Sequence, residues 1–578
     1  MDRITSSLVK EFLSTQEMKT SGDAVDFENF ANYAIVANEY HKTFDVFNVT
    51  IGAGDDTGID GLAILVNGHL VEDKNEIDEL EKINGSLDVT YIFIQAKTST
   101  SFSSAEMRTF YHGVTDFFSE DPRLRRNADV KKFAEISDYL LSKAANFKSN
   151  PVCKAFFVTT GKFREDQNLL AVINKAQIEL EDYNLFSRID LIPIGADDLA
   201  KLYRKTINPI SRTFTFSNKV SLPSIDGIDQ SYFGVVPFSE FKKLIMDDND
   251  SLFNVFDDNV RDFQGESNQV NKKIAETLGG DNPNLFSVLN NGVTIVANKL
   301  KTSVNSFSVE DYQIVNGCQT SNVLYEHRHL AALDGVDIPV RLIVTTDDDV
   351  KSEITISTNS QTAIKKEQLT SMTDFQRKLE AYYKTIKGDG QLYYERRAKQ
   401  YNSDKSVVKR RVITIANQIK SFSSIFYKNP HIVTTYFGSL VTKIRDEKAG
   451  IFEEDHACSP YYLAGLAYYR LDSLFSSGEV DKKYRKVKFY LIMLVPMLTS
   501  KDNIPQLNSY KKIDQYCDAI IKKLNDDAAC KEVFRLAVKI VENSGVDVED
   551  KQALKSQGMT NDILKAYNGE KVSGMVVS

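Results

Sequence analysis

Three side chains near the start of the chain have the types and spacing for phosphodiester chemistry. Gln95 and Lys97 end an apolar run, Tyr91-Ile-Phe-Ile-Gln-Ala-Lys97, and Asp60 lies upstream in Gly58-Ile-Asp-Gly61. Residues i and i+2 of a strand point to the same face. One carboxylate, one amide oxygen and one ammonium can therefore converge at the edge of a buried sheet. That set can hold a hard divalent cation and a phosphate, as metal-assisted phosphodiester cleavage requires.

Positioning those groups requires a framework of strands and helices. Phe27, Phe30, Ala31, Ala34 and Ile35 recur at helical spacing and predict a helix from about Val25 to His41, capped by Asp23. Strands are expected at Phe44–Ile51 and Leu62–Val66, separated by the flexible turn Gly52–Gly58. Asn67-Gly68 signals a hairpin into His69–Val71, residues 72–88 read as loop, and Thr90–Ala96 is the third strand. Ser103 to Leu141 reads as helical, Lys154–Thr160 as strand, the stretch to Leu185 as helix, Ile189–Ile194 as strand and Ala196–Tyr203 as a short helix. This alternation predicts a mixed sheet covered by helices on both faces. A second α/β region begins near Asn218, with strands at Phe233–Pro237, Leu285–Asn298, Tyr312–Val315 and Val340–Thr345 and a helix at Phe238–Ile245. From about Ser406 helical periodicity takes over. The expected architecture is α/β with three domains, 1–217, 218–405 and an all-helical 406–578.

Composition bounds the class. A chain of 578 residues, 42% apolar and 26% charged, reads as a multidomain globular protein. No apolar run approaches a membrane span, and Met1-Asp-Arg-Ile-Thr-Ser-Ser lacks a signal-peptide core, so a cytoplasmic location without membrane contact is expected. The five cysteines form no C-x-x-C pair and read as reduced, mostly buried thiols. A net charge of −9 gives no support for a general nucleic-acid coat, so basic groups would have to concentrate in a cleft. Basic clusters stand at Arg123-Leu-Arg-Arg126, Arg396-Arg397 and Lys409-Arg-Arg411. Each reads first as a solvated face and second as a phosphate site.

Phe27-Glu28, Asp56-Thr-Gly-Ile-Asp-Gly61 and Gln95-Ala-Lys97, in this order, resemble the Mrr-like branch of the PD-(D/E)XK nuclease superfamily, in which Gln replaces the second acid. Thr57 departs from the glycine that branch often carries. The resemblance implies a restriction-endonuclease-like sheet and a Mg²⁺ (or Mn²⁺) site. Asp60 would be the main metal ligand, Gln95 would coordinate through its amide oxygen, and Lys97 would orient the attacking water and offset transition-state charge. Glu28 would stand near the metal. It also implies a dimer or higher homo-oligomer, because a duplex has two strands to cut.

A second set of motifs follows: Asn259-Val-Arg-Asp-Phe263, Phe286-Ser-Val-Leu-Asn-Asn-Gly-Val-Thr-Ile295, Ile314-Val-Asn-Gly-Cys-Gln-Thr-Ser321, Ser357-Thr-Asn-Ser-Gln-Thr362 and Tyr394-Glu-Arg-Arg397. Together they resemble the abortive infection phage resistance (AIPR) family, with the basic tail of the last motif only partly kept. Their Asn, Gln, Thr and Arg side chains suit hydrogen bonding to a phosphate, sugar or base. Arg261, Asn291, Asn316, Gln319, Thr320, Asn359, Gln361 and Arg396 are the candidate ligand-binding residues. The competing reading is an internal polar network that holds the turns together. Cys318 has no local His or acid to form a dyad, and His327 and His329 face apart.

The expected function is a metal-dependent endonuclease in anti-phage defence, cutting DNA, with RNA cleavage as an alternative and a partner defence protein as a further expectation. The rivals are a catalytically silent nucleic-acid-binding sensor and a nucleotide switch centred on Asn316-Gly-Cys-Gln-Thr320. No G-x-x-x-x-G-K-[ST] phosphate loop occurs, which disfavours an ordinary P-loop ATPase.

Overall fold

Short apolar runs in the N-terminal part form strands β1 (Gly61–Val66), β2 (His69–Leu70), β3 (Val89–Lys97), β4 (Val152–Thr159) and β5 (Arg188–Ile194), the inner ones buried almost throughout. They pair in the order β2-β1-β3-β4-β5, with β1 antiparallel to β2 and β3, and with β3, β4 and β5 mutually parallel. Seven helices accompany them: α1 (Arg3–Thr15), α2 (Asp23–Glu39), α3 (Lys74–Asn84), α4 (Ser104–Phe117), α5 (Ala128–Ser142), α6 (Gln167–Glu181) and α7 (Ala196–Ile207). Strand periodicity separates two layers. Tyr91 and Phe93 of β3 join Phe110, Val130 and Leu169 from α4, α5 and α6 in one core. Ile92 and Ile94, also buried, point to the opposite face, where α2 packs on β3 and Phe30 of α2 meets Phe12 of α1 and Tyr203 of α7.

The computed structural model describes residues 1–40, 43–52, 54, 56–208, 210–246, 255–256, 269–280, 283–359, 374–396, 400–401, 404, 406–433, 450–548, 550 and 553–572. The chain divides into two compact units, one holding Met1–Thr206 with Thr373–Ser578 and the other Ile207–Met372. Segments read separately as 1–217 and 406–578 therefore fall largely within the same unit.

In that first unit, helices Asp374–Thr385, Ile415–Phe426, Ser459–Ser476, Lys488–Thr499, Tyr510–Asn525, Asp527–Asn543 and Gln557–Val572 share one core, which starts at Phe375. Buried phenols find partners there: Tyr383 donates to Gln418 Oε1 at 2.6 Å and Tyr490 to the Leu554 carbonyl at 2.7 Å. The expectation of an all-helical region after 405 is corrected by one element. Val412–Thr414 is a strand, paired in parallel with Tyr393–Glu395. Glu17 accepts from Arg411 Nε and from the Tyr469 hydroxyl, both at 2.6 Å. With Asp45–Arg485 at 3.2 Å and Asp73–Lys555 at 2.9 Å, these bonds tie the two ends of the chain together.

The second unit is built on a six-stranded sheet of β6 (Ser211–Thr215), β7 (Asn218–Ser221), β8 (Gln230–Pro237), β9 (Val293–Ser303), β10 (Ser306–Asn316) and β11 (Asp337–Val344), ordered β6-β10-β9-β11-β8-β7. Its neighbours are antiparallel except for the parallel pair β9 and β11. Helices α8 (Phe238–Ile245), α9 (Gln269–Gly279), α10 (Phe286–Leu289), α11 (Cys318–Glu326) and α12 (Asp348–Asn359) accompany it. Phe238, Ile274, Phe286, Val323 and Ile295 meet in its core.

Four local expectations are corrected. Asp23 does not cap α2: it is the first helical residue, the cap position is Gly22, and no side chain bonds there. Phe44–Ile51 is not a strand, because the Asp45 side chain caps the Phe47 N–H and the Val46 carbonyl accepts from Val49 and Thr50, tightening the chain into a 3₁₀ turn. Residues 72–88 are not all loop. Asp73 caps α3, Ile77 and Leu80 bury its inner face, and Gly85 ends it in the left-handed conformation. The strand expected from Leu285 starts only at Val293, after α10 and a turn in which the Asn290 carboxamide accepts from the Gly292 N–H at 2.9 Å. All five cysteines are free and buried, and among the described residues no helix is long and apolar enough to cross a membrane.

Candidate active site

β1 and β3 bring the turn before β1 onto the end of β3. The register pairs Gly61 with Ile94, and the Asp60 N–H donates to the Ile94 carbonyl at 2.8 Å. Asp60 is buried, and its Oδ2 accepts from the Ala96 N–H at 2.8 Å and from Lys97 Nζ at 3.4 Å. The carboxylate thus sits over the residue between Gln95 and Lys97. Gln95 is 4% exposed, and its Oε1 is buried with no hydrogen-bond partner. Such an orphan is costly in an ordinary core and common where a ligand completes a site.

Glu28 projects from the first turns of α2 and is half-buried. Burial, reinforced by the nearby Asp60 charge, pushes its carboxyl up to about 7, while Lys97 pulls the other way. Burial also raises Asp60, against the opposing pull of Lys97 and the Ala96 N–H. The structure therefore brings Asp60, Gln95, Lys97 and Glu28 to one edge of the sheet. Asp60 and the free Gln95 oxygen are the atoms that could hold a divalent cation. Among the described residues, no three His, Cys, Asp or Glu side chains group as a metal cage. Two protein oxygens fit a hard cation as an incomplete set, and Mg²⁺ commonly completes its coordination with water and phosphate oxygens.

The turn is braced on several sides by residues absent from the sequence reading. Asn32, fully buried one helical turn after Glu28, donates to the Asp60 carbonyl at 2.9 Å and to Thr50 Oγ1 at 3.2 Å. Asn127, the cap of α5, donates to the Gly52 and Gly54 carbonyls at 2.7 and 3.1 Å. The i, i+4 spacing of Glu28 and Asn32 was the available signal for Asn32. Close approach of the turn to α4 depends on Gly113, where a Cβ would lie 2.0 Å from the Thr57 carbonyl.

In the second unit, three motifs meet. The turn at Gly292 and the turn at Gly317 both have positive φ, 78° and 95°, and a Cβ on Gly317 would lie 2.9 Å from the Gly292 carbonyl. Thr320 Oγ1 donates to Asn290 Oδ1 at 3.3 Å, and Asn316 Nδ2 donates to the Thr358 carbonyl at 2.7 Å. Gln319 is buried, whereas Asn291 is exposed. Asn359 ends α12, and its side chain is outside the described set; Arg261 and Gln361 lie outside the described residues. Arg396 belongs to the first unit, where it is buried with its Nε 2.5 Å from Glu380 Oε2. The other basic clusters also contribute internal ties. Arg126 donates to the Asp116 carbonyl at 2.6 Å, and Arg410 to Asp472 Oδ2 at 2.7 Å.

Residues 256–542 match the AIPR protein family. The matched segment holds the Asn-Gly motifs of the second unit and Tyr394-Glu-Arg-Arg397. The AIPR segment begins in the second unit and continues into the helical half of the first. The Asp60–Gln95–Lys97 edge lies outside it. Comparison with curated proteins and with solved structures returned no match.

Proposed function

We propose that the protein is a Mg²⁺- or Mn²⁺-dependent nuclease acting in abortive-infection defence, with DNA as its substrate. The observation that carries this reading is the unpartnered, buried Gln95 oxygen beside a buried carboxylate and a lysine at one sheet edge. A cation bound there supplies Lewis-acid stabilisation of the phosphate and an activated water. Asp60 and Gln95 hold it, and Glu28 adds negative charge once ionised. Lys97, held near Asp60 and partly exposed, orients the nucleophilic water and offsets charge that develops on the phosphate. The AIPR segment supplies the defence context, and its junction of Asn-Gly turns shapes the second unit.

The test is cleavage of supercoiled plasmid and of single-stranded RNA by the full chain, with Mg²⁺ or Mn²⁺, comparing wild type with Gln95→Leu. Metal-dependent plasmid cutting lost in the variant supports the reading. Cutting of RNA alone moves the substrate to RNA, and equal activity in both proteins removes Gln95 from the chemistry.

A further inference from the structure

The buried amide of Asn32 bonds to the chain at Asp60 rather than to the candidate site itself. Its Nδ2 reaches the Asp60 carbonyl and Thr50 Oγ1, and Thr50 Oγ1 in turn donates to Asn29 Oδ1 at 3.1 Å. Its Oδ1 is buried without a hydrogen-bond partner. Gly61, the next residue after Asp60, lies so close that a Cβ there would fall 2.2 Å from Asn32 Oδ1. Glu28 and Asn32 stand one turn apart on α2, so the helix that carries the outer carboxylate also fixes the main chain of the inner one. The Asp60 carbonyl accepts from Asn32 and from the Ile51 N–H at 3.0 Å, and the Asp60 N–H donates to the Ile94 carbonyl, so the two peptide groups that flank the Asp60 Cα are both held. The Asp60 carboxylate is thereby aimed along the end of β3.

We infer that Asn32 is a positioning residue for the cation site, setting the direction of the Asp60 carboxylate through its main-chain carbonyl, with Gly61 required to admit the amide. This rests on the proposed cation site at Asp60 and Gln95. Outer partners of metal ligands typically change metal affinity by about 10- to 100-fold when removed, and Asn32→Ala is expected to weaken the site at the lower end of that range.

The experiment is Mn²⁺ binding to the full chain, followed by electron paramagnetic resonance, with thermal unfolding of each protein in parallel. The proteins are wild type, Asp60→Ala, Asn32→Ala, Gly61→Ala and the Asn32→Ala/Gly61→Ala double variant. Asn32→Ala and Gly61→Ala should each raise the Mn²⁺ dissociation constant by about 10-fold. The double variant should recover melting temperature relative to Gly61→Ala, because the amide that the new methyl meets is gone, while its Mn²⁺ affinity stays weak. A merely structural role would tie the two readouts together, so affinity recovering with stability overturns the inference. Wild-type affinity in Asn32→Ala also overturns it, provided Asp60→Ala has lost binding. Absence of binding in wild type, or undiminished binding in Asp60→Ala, overturns the cation site and the inference with it.

Discussion

At the scale of single residues, the candidate site combines groups whose burial works against their charge. Glu28 has its carboxyl raised to about 7, far above the range of an exposed glutamate. An acid whose folded pKa is raised contributes stability that is complete below the unfolded value near 4.5 and is lost as pH rises through about 7. Glu28→Gln should therefore narrow the fall in melting temperature between pH 5 and pH 8, as differential scanning calorimetry would show. The same titration governs cation affinity with the opposite benefit. Wild-type Mn²⁺ affinity should rise through about pH 7, and Glu28→Gln should flatten that rise. Asp60 is raised in the same direction by burial. Asp60→Asn keeps an oxygen for the Ala96 N–H and removes the buried charge. Its melting temperature at pH 8 should equal or exceed that of wild type while Mn²⁺ binding disappears, the trade expected where function requires an unfavourable buried group. A lower melting temperature would show that the carboxylate serves stability instead.

At the scale of elements, the site depends on close approach of a turn to two helices. Gly113 lies in α4 with no room for a side chain against the Thr57 carbonyl. Gly113→Ala should cost about 1–3 kcal/mol by overpacking and displace the turn that carries Asp60. Urea denaturation would measure the first effect and Mn²⁺ binding the second. Much of this framework was legible in the sequence. The run Tyr91–Lys97, the Asn67-Gly68 hairpin and the periodic apolar face of α2 predicted β3, β1 and α2 within two or three residues. The Gln95–Lys97 spacing also placed both side chains at the sheet edge beside Asp60. What escaped were elements decided by side-chain bonds to the backbone. Asp45 turned an apolar stretch into a 3₁₀ turn, and Asp73 with Gly85 made a helix of a polar one. Asn32 escaped for a related reason, since a buried amide in an apolar helix shows its purpose only when its tertiary acceptors, Asp60 and Thr50, are known. The Asn-Gly motifs of the AIPR segment read equally as ligand contacts or as turn chemistry. Their bonds through Asn290, Asn316 and Thr320 show the turn chemistry, and Asn291 is left exposed.

At the scale of the whole molecule, the first unit is assembled from both ends of the chain, around the insertion of the second. The α/β half and the helical half have separate cores but share ion pairs, Arg411–Glu17 among them. Arg411 bonds to Glu17 and also donates to the Asp389 and Gln391 carbonyls at 2.9 and 3.0 Å. Arg411→Ala should cost about 1 kcal/mol, because its bonds to these partly exposed acceptors are lost and water replaces them only in part. Limited proteolysis within Ile207–Met372 should leave the two flanking fragments associated on size exclusion, and their separation would show that the halves fold independently. The AIPR segment thus contributes helices to the unit that carries the Asp60 edge.

We propose that this edge cuts phosphodiester bonds with a bound divalent cation. The most direct test is cleavage of supercoiled plasmid by the full chain with Mg²⁺ or Mn²⁺, comparing wild type with Asp60→Ala and Lys97→Ala. Cutting that requires the metal, is lost in Asp60→Ala and falls by about 100-fold or more in Lys97→Ala is the predicted result. Equal cutting by all three proteins would contradict it.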